Sequence, residues 1–224
     1  IVIVEVDSQS IEALGRWPWH RDIQAFLIHK VFESGAKAVG LDIVYSEPDR
    51  RVPEELGKIL AAKGLTQVAE QFETDRELEK VFAAYREKLV SGWVSESVCQ
   101  PLYHGEEMCP ITAPEAIASL PDNFEKFAYS QFQTATGFDP KTTPFASFPT
   151  LISNIPSYNA VSAHSGYLNG FQDSDGYIRK SSLLMMANGK PFPSLAMEMA
   201  RVAMNDEISL TLDSSQRVQS IAFI

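Results

Sequence analysis

Lys37-Ala-Val-Gly-Leu-Asp-Ile-Val44 decides the fold class. It is an apolar run of strand length, as expected of a strand covered on both faces of a parallel sheet. A second such run, Ile1-Val-Ile-Val-Glu-Val6, ends at Asp7. Between them Ile23, Phe26, Leu27, Val31 and Phe32 recur at three- and four-residue spacing, which predicts an amphipathic helix from about Arg21 to Ser34, stopped by Gly35. Strand, helix, strand means parallel neighbours joined by a right-handed crossover, with one helix face on the sheet.

Further along, Pro53 opens a polar helical segment reaching about Lys63. Thr74 or Asp75 caps another amphipathic helix, with Leu78, Val81, Phe82, Tyr85 and Leu89 on one face, and Leu89-Val-Ser-Gly-Trp-Val94 follows as a third strand. Toward the other end, Asp173-Ser-Asp-Gly-Tyr177 is a turn signal, built on Asp173, Asp175 and Gly176, that feeds a strand from Ile178 to Met186. Asn188-Gly189 turns the chain back. Pro193-Ser194 start a helix with Leu195, Met199, Val202 and Ala203 on one face, and Ile208 to Leu212 with Ser220 to Phe223 close as short strands. The reading is a single α/β domain with a mixed sheet: parallel strand-helix-strand units at the N-terminal end, an antiparallel meander at the C-terminal end, and helices packed on the sheet. An elaborated insertion at about 95–160 interrupts it. Its aromatics, Phe124, Phe127, Tyr129, Phe132, Phe138, Phe145 and Phe148, either pin that stretch to the body or line a ligand cleft.

With 19 basic residues against 29 acidic ones, the formal charge of -10 excludes a phosphate backbone as partner. Composition is that of an ordinary globular protein, 45% hydrophobic and 21% charged. No run approaches the roughly 18 to 20 apolar residues that span a bilayer. The chain opens inside an apolar run without an initiating Met and so reads as a fragment, with any anchor lying outside it. Cys99 and Cys109, the two cysteines, bracket a polar stretch rich in turn formers. That spacing suits a disulfide closing a loop of about ten residues, worth about 2.5 to 3 kcal/mol in an oxidising compartment, with two reduced thiols as the alternative. A zinc site would need more ligands than His104.

The hallmarks of catalysis are missing from the sequence: it holds no Gly-x-Ser-x-Gly elbow, phosphate-binding glycine loop, His-Glu-x-x-His pair or Cys-x-x-Cys pair. His164-Ser165-Gly166 is a lone adjacency. No metal and no cofactor is called for. Asp173-Ser-Asp-Gly176 fails as a calcium loop, because aligning its glycine puts Phe171 at the first ligand position and Ser182 at the bidentate one. Beyond the carboxyl ends of parallel strands, where α/β ligand crevices form, Asp7, Trp17, Asp42 and Tyr45 would gather. The indoles of Trp17 and Trp19 either cover the sheet end or join that crevice. Asp42, inside an apolar run, needs a partner if it is buried, and Arg16 or Arg21 is the natural one. Asp42 is then a structural carboxylate or a ligand-binding one.

Three stretches together resemble one family: Ile1 to Arg21 with Gly15-Arg-Trp-Pro-Trp-His-Arg21 as its most specific piece, Gly35 to Asp49, and Gly166-Tyr-Leu-Asn169 with Asp173-Ser-Asp-Gly-Tyr-Ile-Arg179. They look like a CHASE domain of type 2, the extracellular sensory module found ahead of bacterial adenylyl cyclases, histidine kinases and serine/threonine kinases. The resemblance covers residues 1 to 50 and 160 to 205. It implies flanking transmembrane helices outside this chain, a cytoplasmic output domain, and a periplasmic location that agrees with the disulfide. On this reading Asp7, Arg16, Trp17, Trp19, Arg21, Asp42, Tyr45 and Arg179 are ligand-binding candidates for a small molecule or a periplasmic protein. Two alternatives stand beside it: a ligand-free interaction module forming a homodimer, and a metal-dependent hydrolase using Asp7 and Asp42.

Overall fold

The computed structural model describes residues 1–49, 54–70, 74–95, 100–101, 107–108, 120–129, 132–133, 151–170, 175–179, 181–187, 190–212 and 218–223. They divide into two compact units, Ile1–Ala36 with Glu47–Ala84, and Lys37–Ser46 with Tyr85–Ile224.

The first unit is helical: α1 (Ser8–Leu14), α2 (Arg21–Glu33), α3 (Glu54–Ala62), α4 (Thr66–Glu70) and α5 (Thr74–Ala84). The Asp7 carboxylate accepts the Ser10 backbone N–H and so satisfies a free donor at the start of α1, and Gly15, at φ 88°, ends it in a conformation few other residues adopt. α2 falls where the spacing places it and packs on α5. Its buried stripe is Gln24, Ala25, Ile28 and Phe32, whereas Phe26 and Leu27 are exposed, so the expected face is rotated. On α5 Leu78 and Phe82 are buried as read. Ile1–Val6 departs from expectation. Ile1 to Val4 are exposed, and the run forms no strand and does not join the three-stranded parallel sheet. Branching favours a backbone conformation; burial of a strand needs a ladder partner.

The second unit carries the sheets. Its strands are β1 (Val39–Gly40), β2 (Leu89–Trp93), β3 (Gln100–Pro101), β4 (Glu107–Met108), β5 (Phe132–Gln133), β6 (His164–Tyr167), β7 (Leu184–Ala187), β8 (Lys190–Pro193), β9 (Ile208–Leu212) and β10 (Val218–Phe223), with helices α6 (Pro156–Val161) and α7 (Leu195–Met204). A parallel sheet runs in the order β1-β2-β6, with Val39 opposite Leu89, and Val90, Ser91, Gly92 and Trp93 opposite His164, Ser165, Gly166 and Tyr167. All five residues of β2 are buried. β7 with β8, and β9 with β10, are the antiparallel pairs expected of the C-terminal half, and β5 joins β9 in parallel. The fold is thus mixed α/β. The strand read from Ile178 to Met186 shrinks to Leu184–Ala187, and residues 175–178 lie exposed ahead of it.

Two glycines set how closely α7 approaches the parallel sheet. A Cβ on Gly166 would stand 2.6 Å from the Leu195 backbone, and one on Gly40 2.1 Å from the Met199 sulfur. At Gly166 the clash is with backbone and cannot be relieved by a side chain, so α7 sits where only a hydrogen-sized side chain allows it, whereas at Gly40 the Met199 side chain would have to move aside. Around β2 and β6 the core is aromatic: Trp93, Phe124, Phe127, Tyr167 and Phe192, with Met185 and Ala187. Trp93 meets Phe124, Tyr167 and Phe192 edge-on, the arrangement that ring quadrupoles favour. Phe124 and Phe127 therefore pin the middle of the inserted region to the body, while Phe138, Phe145 and Phe148 fall outside the described residues.

Candidate functional site

At the margin of the second unit α7, β6 and the segment after Phe124 enclose a cleft of about 560 Å³, lined by Glu87, Lys126, Tyr129, His164, Glu198, Arg201, Asp206 and Glu207 among others. Ser194 caps α7 by accepting the Met197 N–H, and the turn that follows places Glu198 facing the sheet. It is 4% exposed, although an ionised carboxylate in such a place costs several kcal/mol unless it is paired and hydrogen-bonded.

The pairing is complete. Arg201, one turn on, donates from Nε to Oε2 at 3.0 Å and from Nη2 to Oε1 at 2.7 Å, a two-pronged grip. The Tyr129 hydroxyl donates to Oε2 at 2.9 Å, and His164 Nδ1 lies 2.9 Å from Oε1. Burial is the largest influence on the Glu198 carboxyl and works against its charge. The His164 and Arg201 hydrogen bonds, the Arg201 charge and Tyr129 overcome it and bring the carboxyl down to about 2. Burial, with the Glu198 charge behind it, drives the Tyr129 hydroxyl far above its ordinary range, so it stays a donor. Arg201 also reaches Glu207 at 3.6 Å and donates to the Asp206 carbonyl, while His164 Nε2 lies 3.8 Å from Glu87. On the opposite wall Lys126 donates to the carbonyls of Asn159 and Ala160 at 2.7 and 3.2 Å.

The residues singled out in the sequence do other things. Asp7 caps α1 and is exposed. Arg16 is exposed; Trp17 and Trp19 stack edge-on with centroids 5.4 Å apart, and Trp19 Nε1 donates to the Gly15 carbonyl across a cis Trp17–Pro18 bond. Arg21 binds the Glu47 carbonyl at 3.0 Å and Asp75 at 3.4 Å, and its backbone N–H donates to Asp49, which also accepts from Thr74. These bonds tie the 47–49 segment to the starts of α2 and α5. Asp42 is exposed, a correction to the buried carboxylate expected, because the apolar run is in the ladder only as far as Leu41, whose N–H donates to Val90. Tyr45 is 1% exposed and held by Asn154, whose side chain accepts its N–H at 2.8 Å and donates to Gly92 at 3.1 Å. Arg179 grips both oxygens of Asp175 at 2.8 and 2.7 Å, and Gly176, at φ 84°, makes the turn that was read. Asp173, Cys99 and Cys109 fall outside the described residues.

Sequence reading missed Glu198 and Arg201, set His164 aside as a lone adjacency, and named Tyr129 only among the aromatics that pin the insertion or line a cleft. One signal was there: Glu198 sits on the stripe of Leu195 and Val202, and an acidic residue on an apolar helix stripe asks for a partner.

The sequence model of the CHASE2 domain matches residues 1–223. The chain belongs to the CHASE2 domain family. CHASE2 domains are sensory, non-catalytic modules of signalling receptors, and are typically their extracellular part. The match spans the region between the stretches that carried the resemblance. No curated protein and no solved structure matches the chain. Among the described residues no three His, Cys, Asp or Glu side chains are grouped to hold a metal, and no helix is long and apolar enough to cross a membrane.

Proposed function

We propose that this CHASE2 domain is the extracytoplasmic signal-input module of a membrane-anchored bacterial receptor, that its cleft beside Glu198 receives the signal, and that α7 relays it. The observation that carries this reading is the fully paired, buried Glu198 at the wall of an accessible cleft: such a network has two well-defined states, made and broken, and a ligand with unequal affinity for them shifts the balance. The exposed candidates Asp42 and Arg179 remain further contact points for a small molecule or a periplasmic protein. A thermal-shift screen of metabolites and ions on the domain tests the reading, with a stabilising compound that loses its effect in Glu198→Gln as the expected result. An empty screen together with an empty periplasmic pull-down would remove its support.

A second reading is favoured by the first unit, where Ile1, Val2, Phe26, Leu56 and Ile59 are all exposed. Apolar area of that kind is used in contacts between copies, so the domain would hold the receptor as a homodimer. Sedimentation showing a monomer at high concentration would remove this alternative.

A further inference from the structure

The contacts at His164 place one ring nitrogen between a donor and an acceptor at the same distance. Nδ1 is 2.9 Å from the Glu198 oxygen Oε1 and 2.9 Å from the Arg201 nitrogen Nη2. It carries either a lone pair or a proton, so it satisfies one neighbour and opposes the other. With a lone pair, Nδ1 accepts from Arg201 and sets its electrons against those of Glu198. With a proton, it donates to Glu198 and meets the Arg201 N–H head-on. The second nitrogen, Nε2, points to the Glu87 carboxylate at 3.8 Å, just beyond hydrogen-bond reach.

We propose that the signal read by this cleft is the proton, and that His164 is the group that takes it up. This rests on the sensory reading above and names its stimulus. A neutral ring leaves the Arg201 guanidinium bridging Glu198 and His164. Protonation makes both ring nitrogens donors: Nδ1 binds Glu198, Nε2 draws in Glu87, and the Arg201 Nη2 group gives way toward Glu207, which already stands 3.6 Å from Nη1. Imidazole is the side chain whose ordinary titration spans about pH 5 to 8.

Every neighbouring element contributes to the response. Glu87 belongs to the turn leading into β2 and is held by Arg86 at 3.0 Å. Glu198 and Arg201 lie on α7, Asp206 and Glu207 stand just ahead of β9, and Tyr129 and Lys126 face the cleft from the inserted region. Lys126 is taken up by carbonyl oxygens and Tyr129 by Glu198, which leaves Glu87, Arg201 and Glu207 as the groups able to rearrange. A change of one charge on β6 thereby shifts the contacts of β2, α7 and β9 together, which is what relay to a flanking segment requires.

An NMR titration of the 224-residue chain from about pH 5 to 8 tests this. The expected result is that the His164 ring titrates in that window, and that the Arg201 Nε–H and the backbone amides of α7 and residues 206–208 shift with the same midpoint. In His164→Gln these shifts vanish, while the signals of the exposed His20 and the half-buried His29 are unchanged. Glu87→Gln, at an exposed position where folding is not at stake, moves the midpoint down through loss of a screened attraction. A ring that does not titrate in the window, one that titrates while α7 stands still, or a midpoint indifferent to Glu87→Gln would overturn the proposal. Should a metabolite stabilise the domain in the thermal-shift screen while His164 stays silent, the sensory reading stands and the proton falls.

Discussion

His164 and Glu198, 34 residues apart in the chain, meet with Nδ1 2.9 Å from Oε1, and this contact ties the parallel sheet to the helix that crosses it. A histidine, an arginine and a tyrosine converge on one buried carboxylate. Each alone is ordinary; together they keep a charge inside the protein.

Glu198→Gln should therefore be costly although it is isosteric. The amide cannot match the charge of Arg201, it offers one acceptor oxygen where two were gripped, and it leaves the guanidinium with only the exposed Glu207 carboxylate, 3.6 Å away, to balance it. Breaking one side of such a pair costs on the order of 3 kcal/mol. For a domain of this size that lowers Tm by roughly 6 to 12 °C, which calorimetry at neutral pH would show. A change under about 2 °C would mean that the network adds little to the fold.

The same network fixes the acid limb of stability. Held at about 2 in the fold against an ordinary 4.5, the Glu198 carboxyl contributes stability that is complete above about pH 4.5 and is lost as pH falls toward 2. At the other extreme, burial pushes Tyr167 up to about 12 from 10, despite the bond its hydroxyl donates to the Ser182 carbonyl. Its contribution is complete below pH 10 and is lost as pH rises through 12. Urea midpoints measured across this range should fall at both ends, and Glu198→Gln should flatten the acid limb alone.

How much of this was legible in the sequence follows from the distances involved. β2 and the β9–β10 pair were readable because apolar runs and turn residues are local signals. The α7 cap at Ser194 was local too. Ile1–Val6 looked the same as a buried strand because branching is intrinsic to a residue, whereas a ladder partner belongs to the fold. Asp42 was misjudged for a related reason: an apolar setting in sequence is no measure of where the ladder stops. The cleft escaped because its parts are far apart, with Tyr129 reaching Glu198 from 69 residues away. No spacing rule joins a tyrosine in an irregular stretch, a histidine in a short strand and a glutamate on a helix.

Gln100 pairs with Met108 and Pro101 with Glu107, an antiparallel ladder immediately inside the two cysteines in sequence. Such a ladder closes the same loop that a Cys99–Cys109 disulfide would close, so the bond is expected to form when the protein is made in an oxidising compartment. Mass spectrometry of alkylated protein should show the pair unmodified before reduction and doubly modified after it. Reduction should then lower stability by about 2.5 to 3 kcal/mol, the loop-entropy value for about ten residues. Free thiols in protein exported to the periplasm would count against both the bond and the location.

Gly166 offers the sharpest test of how α7 sits. A methyl group there would stand 2.6 Å from the Leu195 Cα and backbone N, and a backbone cannot step aside as the end of a side chain can. Gly166→Ala must push the first turn of α7 off the sheet, straining Ser194 at the cap and the Glu198 network one turn later. Overpacking of this kind costs about 1 to 3 kcal/mol. Gly176→Ala makes the comparison: open space surrounds that position, and the penalty is only that of φ 84°, about 1 kcal/mol. Of the two, only Gly166→Ala should also disturb the cleft, seen as faster hydrogen exchange at α7. If both variants lose the same stability and leave α7 exchange unchanged, close approach at Gly166 is not what positions Glu198.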